Sequence, residues 1–306
     1  MRIASLLASG TEIAWALGLG DDVVAISHEC DYPPEALDRP RITRPRFDPD
    51  GLDSAAVDAA VREAMATAGS VYQIDEAALR QVRPDVVLTQ AVCEVCAVPA
   101  SDAQSVVDSL ANAARVLSLD AHTLEGIFET IKQVGDGAGA AEAATRFVRD
   151  LRRRLDRVRE RVEGRARPRL LGIEWLDPPF IPGHWVPEMV EIAGGTNVRG
   201  EAGQRSIEVA WDELMGLDPD VLLIMPCGYK LEASRQDADR YAERLTAAAP
   251  RAVEAGRAYV VDGSSYFNRS GPRAIDGVEI LAALLHPDRF PDIDLSGRAA
   301  RWQPHS

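Results

Sequence analysis

The chain has 306 residues, of which 46% are hydrophobic and 27% charged. This ordinary globular composition supplies one large core or two of ordinary size and excludes disordered and fibrous classes. The formal net charge of −14 argues against a nucleic-acid partner, because phosphate binding needs clustered cations.

In chain order, short apolar runs predict strands at residues 2–7, 23–27, 86–89, 115–119, 169–173, 221–225 and 258–261. Helical patterns fall between them at 11–17, 76–82, 104–113, 123–134, 187–193, 211–217, 238–248 and 277–285. Several strand runs are continuously apolar, which predicts sheets covered on both faces. Strand–helix alternation of this kind reads as α/β with mostly parallel sheets. Between residues 140 and 163 there is no Pro or Gly, and Ala144, Val148, Leu151, Leu155, Val158 and Val162 recur at helical spacing. This predicts one long amphipathic helix, roughly 36 Å from end to end. Gly135, Gly137 and Gly139 separate it from the preceding helix, and Gly164 and Pro168 follow it. Its arginines alternate with Asp150, Asp156, Glu160 and Glu163 and read as a solvated face.

The two sides of this helix echo one another. Arg83-Pro84-Asp85 leads into Val86-Val87-Leu88 and then Cys93; Asp218-Pro219-Asp220 leads into Val221-Leu222-Leu223 and then Cys227. Two similar α/β lobes joined by one backbone helix are expected, with a first lobe at 1–139, the helix at 140–164 and a second lobe at 165–306.

This ordered set resembles the class III, helical-backbone substrate-binding proteins of ABC importers, in the vitamin B12 and iron-chelate branch. The resemblance rests on Ser5-Leu6-Leu7-Ala8-Ser9-Gly10-Thr11-Glu12, the paired Pro-Asp strands, Gly183-His184-Trp185-Val186-Pro187-Glu188 through Gly194-Gly195, and the final Asp276-Gly277-Val278-Glu279 helix. It covers nearly the whole chain. It implies a small-molecule or metal-chelate ligand, a cleft between the lobes with little closure, and an ABC permease partner. The permease would dock through an acidic residue on each lobe; the first such position falls at Ala77, beside Asp75 and Glu76, and the second near Asp212 and Glu213. The family is usually exported or lipid-anchored. In this chain residues 2–7 are too short for a secretory apolar region, and a cytoplasmic location is expected. No apolar run reaches the roughly 18 residues of a membrane span, so no membrane insertion is expected.

Ligands of open parallel sheets bind beyond the carboxyl ends of the strands. The ligand-binding candidates there are Ser9, Thr11, His28, Tyr32, Gln90, Trp175, His184, Trp185, Tyr229 and Tyr266. Broad aromatic faces suit a large flat ligand such as a corrin, and the resemblance implies cobalamin or another corrinoid. His28 and His184 are also candidate metal ligands through neutral imidazole. Glu12 reads as a carboxylate at a helix start. His122 reads as opening a helix, and His286 as a surface residue.

All four cysteines, Cys30, Cys93, Cys96 and Cys227, follow strand ends. Cys93 and Cys96 have the two-residue gap that lets two sulfurs reach one ion. Four thiolates would suit zinc or an iron–sulfur cluster; a redox role and plain packing stay open beside this. No phosphate loop, dinucleotide fingerprint, nucleophile elbow or metalloprotease motif is present. The expectation is a non-catalytic protein holding a corrinoid or related metal chelate between its lobes. The alternative is a cytoplasmic metal or iron–sulfur protein.

Overall fold

The computed structural model describes residues 1–49, 51–90, 100–108 and 114–304. Each lobe is built on one sheet. In the first, the spatial order is Val23–Ala25, Ile3–Ser5, Val86–Thr89 and Arg115–Ser118, and every neighbouring pair is parallel. In the second, Thr196–Asn197, Arg169–Ile173, Val221–Ile224 and Ala258–Val261 are parallel, and Ala299–Arg301 closes the edge antiparallel. The central strands Val86–Thr89 and Val221–Ile224 are buried throughout, as sheets with helices on both faces require. All seven predicted strands are present.

The Pro-Asp echo has a physical basis. Asp85 Oδ2 accepts the backbone N–H of Arg2 at 2.8 Å, and Asp220 Oδ2 accepts that of Arg169 at 2.8 Å. The Arg2 side chain reaches Val82 O, and the Arg169 side chain reaches Leu217 O, each at 2.7 Å. Arg83 and Asp218, each just before the proline, hold left-handed φ values of 44° and 45°. The same turn therefore fixes the same strand pair in both lobes.

The backbone helix is Ala141–Val162, and it buries the six apolar residues that its periodicity predicts. Gly139, with φ +74°, is the break before it. Gly135 and Gly137 are not breaks but lie inside the preceding helix, Leu124–Gly137. A Cβ on Gly135 would come within 2.5 Å of the Ala144 Cβ, so glycine there allows the two helices to pack closely. Most arginines of the backbone helix pair at its surface, as Arg153 does with Asp150 and Arg159 with Asp156. Arg154 instead turns inward to Asp276 and Glu279 on the last helix, Ala274–Leu285.

One hydrophobic cluster runs through the molecule. It joins Ile3, Leu88 and Ile131 of the first lobe, Leu151 and Leu155 of the backbone helix, and Leu170, Val221 and Leu281 of the second lobe. Alternate strand residues such as Ala4 and Val87, or Leu171 and Leu222, face separate outer clusters. Helix Ser54–Ala68 and the small antiparallel sheets at residues 43–45 with 72–74, and at 175–181 with 207–208, are additions to the predicted elements. His286 is buried rather than at the surface, with Nε2 3.1 Å from Gly194 O. His122 precedes a helix whose cap is Thr123.

Candidate functional site

Loops beyond the carboxyl ends of both sheets meet in an ion cluster. Glu12, in the first helix Ala8–Ala16, and Asp31, in the loop after the second strand, come from the first lobe. Arg269 and Arg273, which flank Gly271-Pro272, come from the second lobe, as does Lys230. Arg269 Nη1 donates to Glu12 Oε1 at 2.8 Å and to Asp31 Oδ1 at 2.7 Å. Arg273 donates to Glu12 Oε1 from Nε at 3.0 Å and from Nη2 at 2.7 Å, and to Asp31 Oδ1 at 3.1 Å. Lys230 binds the other Asp31 oxygen.

Three cations thus face two carboxylates. Glu12 and Arg269 are almost fully buried, at 2% and 8% side-chain exposure, so each requires its partner. Burial alone would push the Asp31 carboxyl up. The charge and hydrogen bond of Arg269, joined by Lys230, outweigh this and hold it well below the usual carboxylate range. Glu12 Oε2 is buried and has no hydrogen-bond partner. The role of Glu12 is therefore ion pairing across the lobes; the helix start carries no side-chain cap.

Several predicted residues surround this cluster. Ser9 Oγ lies 3.4 Å from Ser270 Oγ, and Ser270 donates to Gln90 Oε1 at 3.4 Å, which ties two strand ends of the first lobe to the segment between the arginines. The Arg273 guanidinium stacks 4.6 Å from the Tyr32 ring and lies 5.7 Å from Tyr266. Elsewhere in the second lobe, Trp175 and Tyr229 meet edge to face at 5.4 Å. Burial raises the pKa of Tyr229, whose hydroxyl has no partner. His184 sits 5.4 Å from His122 of the first lobe, with its Nδ1 buried and unpartnered. Burial, then His122 and Arg205, lower its pKa, so the imidazole is neutral at pH 7.

Three predicted residues are turned away. Thr11 is fully buried, with Oγ1 3.0 Å from Cys30 Sγ. Trp185 packs in the shared core and donates its indole N–H to Phe267 O at 2.7 Å. His28 is held within the first lobe, with Nδ1 2.6 Å from Thr43 Oγ1, Nε2 3.2 Å from Glu29 Oε1, and its ring against Tyr72.

The expectation of a four-cysteine metal or iron–sulfur site finds no support. Cys30 is 1% exposed within the apolar core, and burial raises its thiol pKa to about 11. Cys227 is partly buried. Cys93 and Cys96 lie outside the described residues. Among the described residues, no group of three or more His, Cys, Asp or Glu is placed to hold a metal.

Sequence reading missed Arg269, Arg273 and Lys230. Two signals pointed to them: an arginine pair around Gly271-Pro272, and a lysine that is one of only two in the chain. At the predicted docking positions, Asp75 caps its helix by accepting from Ala78 N at 2.9 Å, and Glu76 pairs with Arg80. Asp212 is exposed, and Glu213 pairs with Arg199.

A family model described as periplasmic binding protein matches residues 3–264. The chain is 25% identical over 299 residues to an uncharacterized ABC transporter substrate-binding lipoprotein of Bacillus subtilis, covering 95% of this chain and 82% of that protein. It is 23% identical over 288 residues to a vitamin B12-binding protein of Vibrio cholerae, covering 93% and 88%. Its fold matches that of a periplasmic heme-binding protein of Pseudomonas aeruginosa with a TM-score of 0.69 at 20% identity, covering 94% of this chain and 92% of that one. Lipoprotein and periplasmic appear in these names, so the cytoplasmic expectation draws no support from them.

Proposed function

This chain belongs to the periplasmic binding protein family, and we propose that it is a non-catalytic carrier of a tetrapyrrole metal chelate, a corrinoid or a heme, held between its lobes for an ABC permease. The observation that carries this reading is the meeting of loops from both sheets around Arg269 and Arg273, with the Tyr32 and Tyr266 rings beside them. Aromatic faces suit the flat macrocycle, and guanidinium groups suit its peripheral amides, carboxylates or phosphate. The relatives named for vitamin B12 and heme support the same ligand class. Residues 1–139 and 165–306 serve as the two walls and 140–164 as the strut, with a periplasmic or lipid-anchored location. The cluster suits a binding role: Asp31 is held ionised by three cations and is unfit for proton transfer near neutral pH.

Titration with cyanocobalamin and with hemin, followed by visible absorbance, tests this. One-to-one binding of at least one of them at micromolar Kd or tighter is expected, weakened about tenfold or more by Tyr266→Ala. Failure of both to bind would remove the reading.

A further inference from the structure

The two carboxylates of the ion cluster differ in how firmly they are held. Glu12 is fixed in a helix at 2% side-chain exposure, and both arginines converge on its Oε1. Asp31 sits in a loop at 23% exposure, and its partners extend outward to Lys230, which is 61% exposed. Its neighbour Tyr32 is 46% exposed, with its ring over Arg273. The cluster is therefore closed on the Glu12 side and reaches solvent on the Asp31 side. Without Asp31, three cations would face the single charge of Glu12, and buried guanidinium groups require compensation at all times.

We propose that Asp31 is an exchangeable internal counter-ion: it fills the anion seat of Arg269, Arg273 and Lys230 until a carboxylate or phosphate group of the ligand takes its place. This rests on the binding reading above and adds to it the charge of the ligand group that enters the seat. Asp31 then competes with the ligand, so it sets selectivity for anionic ligands over neutral ones. It also bridges the lobes only in the ligand-free state, whereas Glu12 bridges them in both.

Hemin and its dimethyl ester differ only in the two carboxylates, and Asp31→Asn removes the competing charge at nearly constant shape. The substitution is expected to tighten hemin about five- to thirtyfold while moving the ester less than about twofold. Unchanged or weaker hemin binding, or equal tightening of the ester, would overturn the proposal. If wild-type protein binds neither tetrapyrrole, the carrier reading fails and inorganic phosphate decides the proposal instead. Asp31→Asn should then gain a phosphate-dependent rise in Tm, over sodium chloride of equal ionic strength, that wild type lacks and that Arg273→Gln abolishes in the double variant. Absence of that rise overturns it. Asp31→Ser serves for both arms should Asp31→Asn be recovered unfolded.

Discussion

Cys30 illustrates how position along the chain and position in space separate at the scale of one residue. It follows a strand end, where a ligand is expected, but its side chain turns back into the apolar core beside Thr11. Burial favours the neutral thiol, and the hydrogen bond with Thr11 offsets this only in part, which leaves the pKa at about 11 against an ordinary value near 9. In native protein at pH 8, iodoacetamide should leave Cys30 unmodified while alkylating Cys227, as read by peptide mass spectrometry; modification of Cys30 at the rate of the denatured chain would refute its burial. The pH consequence has a definite sign. Between pH 9 and 11 the unfolded thiol has lost its proton and the folded one retains it, so the folded state binds more protons. Its contribution to stability is complete below pH 9 and is lost as pH rises through 11. Cys30→Ala should flatten this part of the stability–pH curve, measured by urea denaturation.

At the scale of elements, the repeated Pro-Asp turn is the device that makes both lobes. Asp85 and Asp220 each fasten the start of the preceding parallel strand by accepting its backbone N–H, and the side chain of that same arginine fastens the segment leading into the turn, at Val82 O and Leu217 O. Asp85→Ala and Asp220→Ala should therefore cost similar amounts, about 1–2 kcal/mol each, measured as shifts in urea midpoint. A large loss from one and none from the other would refute the equivalence of the two turns. This turn was legible in the sequence because its backbone requirements are local: a Pro-Asp pair before a buried apolar run. The long helix was legible through its period. Helix Ser54–Ala68 was not, because its buried residues, Ser54, Val57 and Ala64, form no strong apolar stripe and its end contacts are made to the other lobe, as Ser54 Oγ to Asp237. Which charges pair in the ion cluster was illegible for the same reason. Glu12 and Arg269 are 257 residues apart, and nothing local to either one announces the partner. Gly135 was misread because a glycine that relieves crowding between helices and a glycine that ends a helix look alike in sequence.

For the whole molecule, the decisive feature is that the lobes share a core. Two domains with separate cores commonly unfold in separate steps. Here Leu151 and Leu155 of the backbone helix pack in the same cluster as Ile3 and Leu88 on one side and Leu170 and Leu281 on the other. Arg154 adds a partly buried tie from that helix to the last one. Opening either lobe alone would expose apolar surface belonging to both, so the cost of a half-folded state is close to that of full unfolding. The same coupling makes the helix a strut, and on the carrier role proposed above ligand exchange is expected to use rearrangement of loops such as that of Asp31 rather than wide separation of the lobes. Ligand-free protein should show a single calorimetric transition whose calorimetric and van't Hoff enthalpies agree. Leu151→Ala should lower stability by about 2–5 kcal/mol and shift that transition as a unit. Resolution of the wild-type trace into two peaks, or a split induced by Leu151→Ala, would mean that the lobes are held together by their ion pairs and not by the common core.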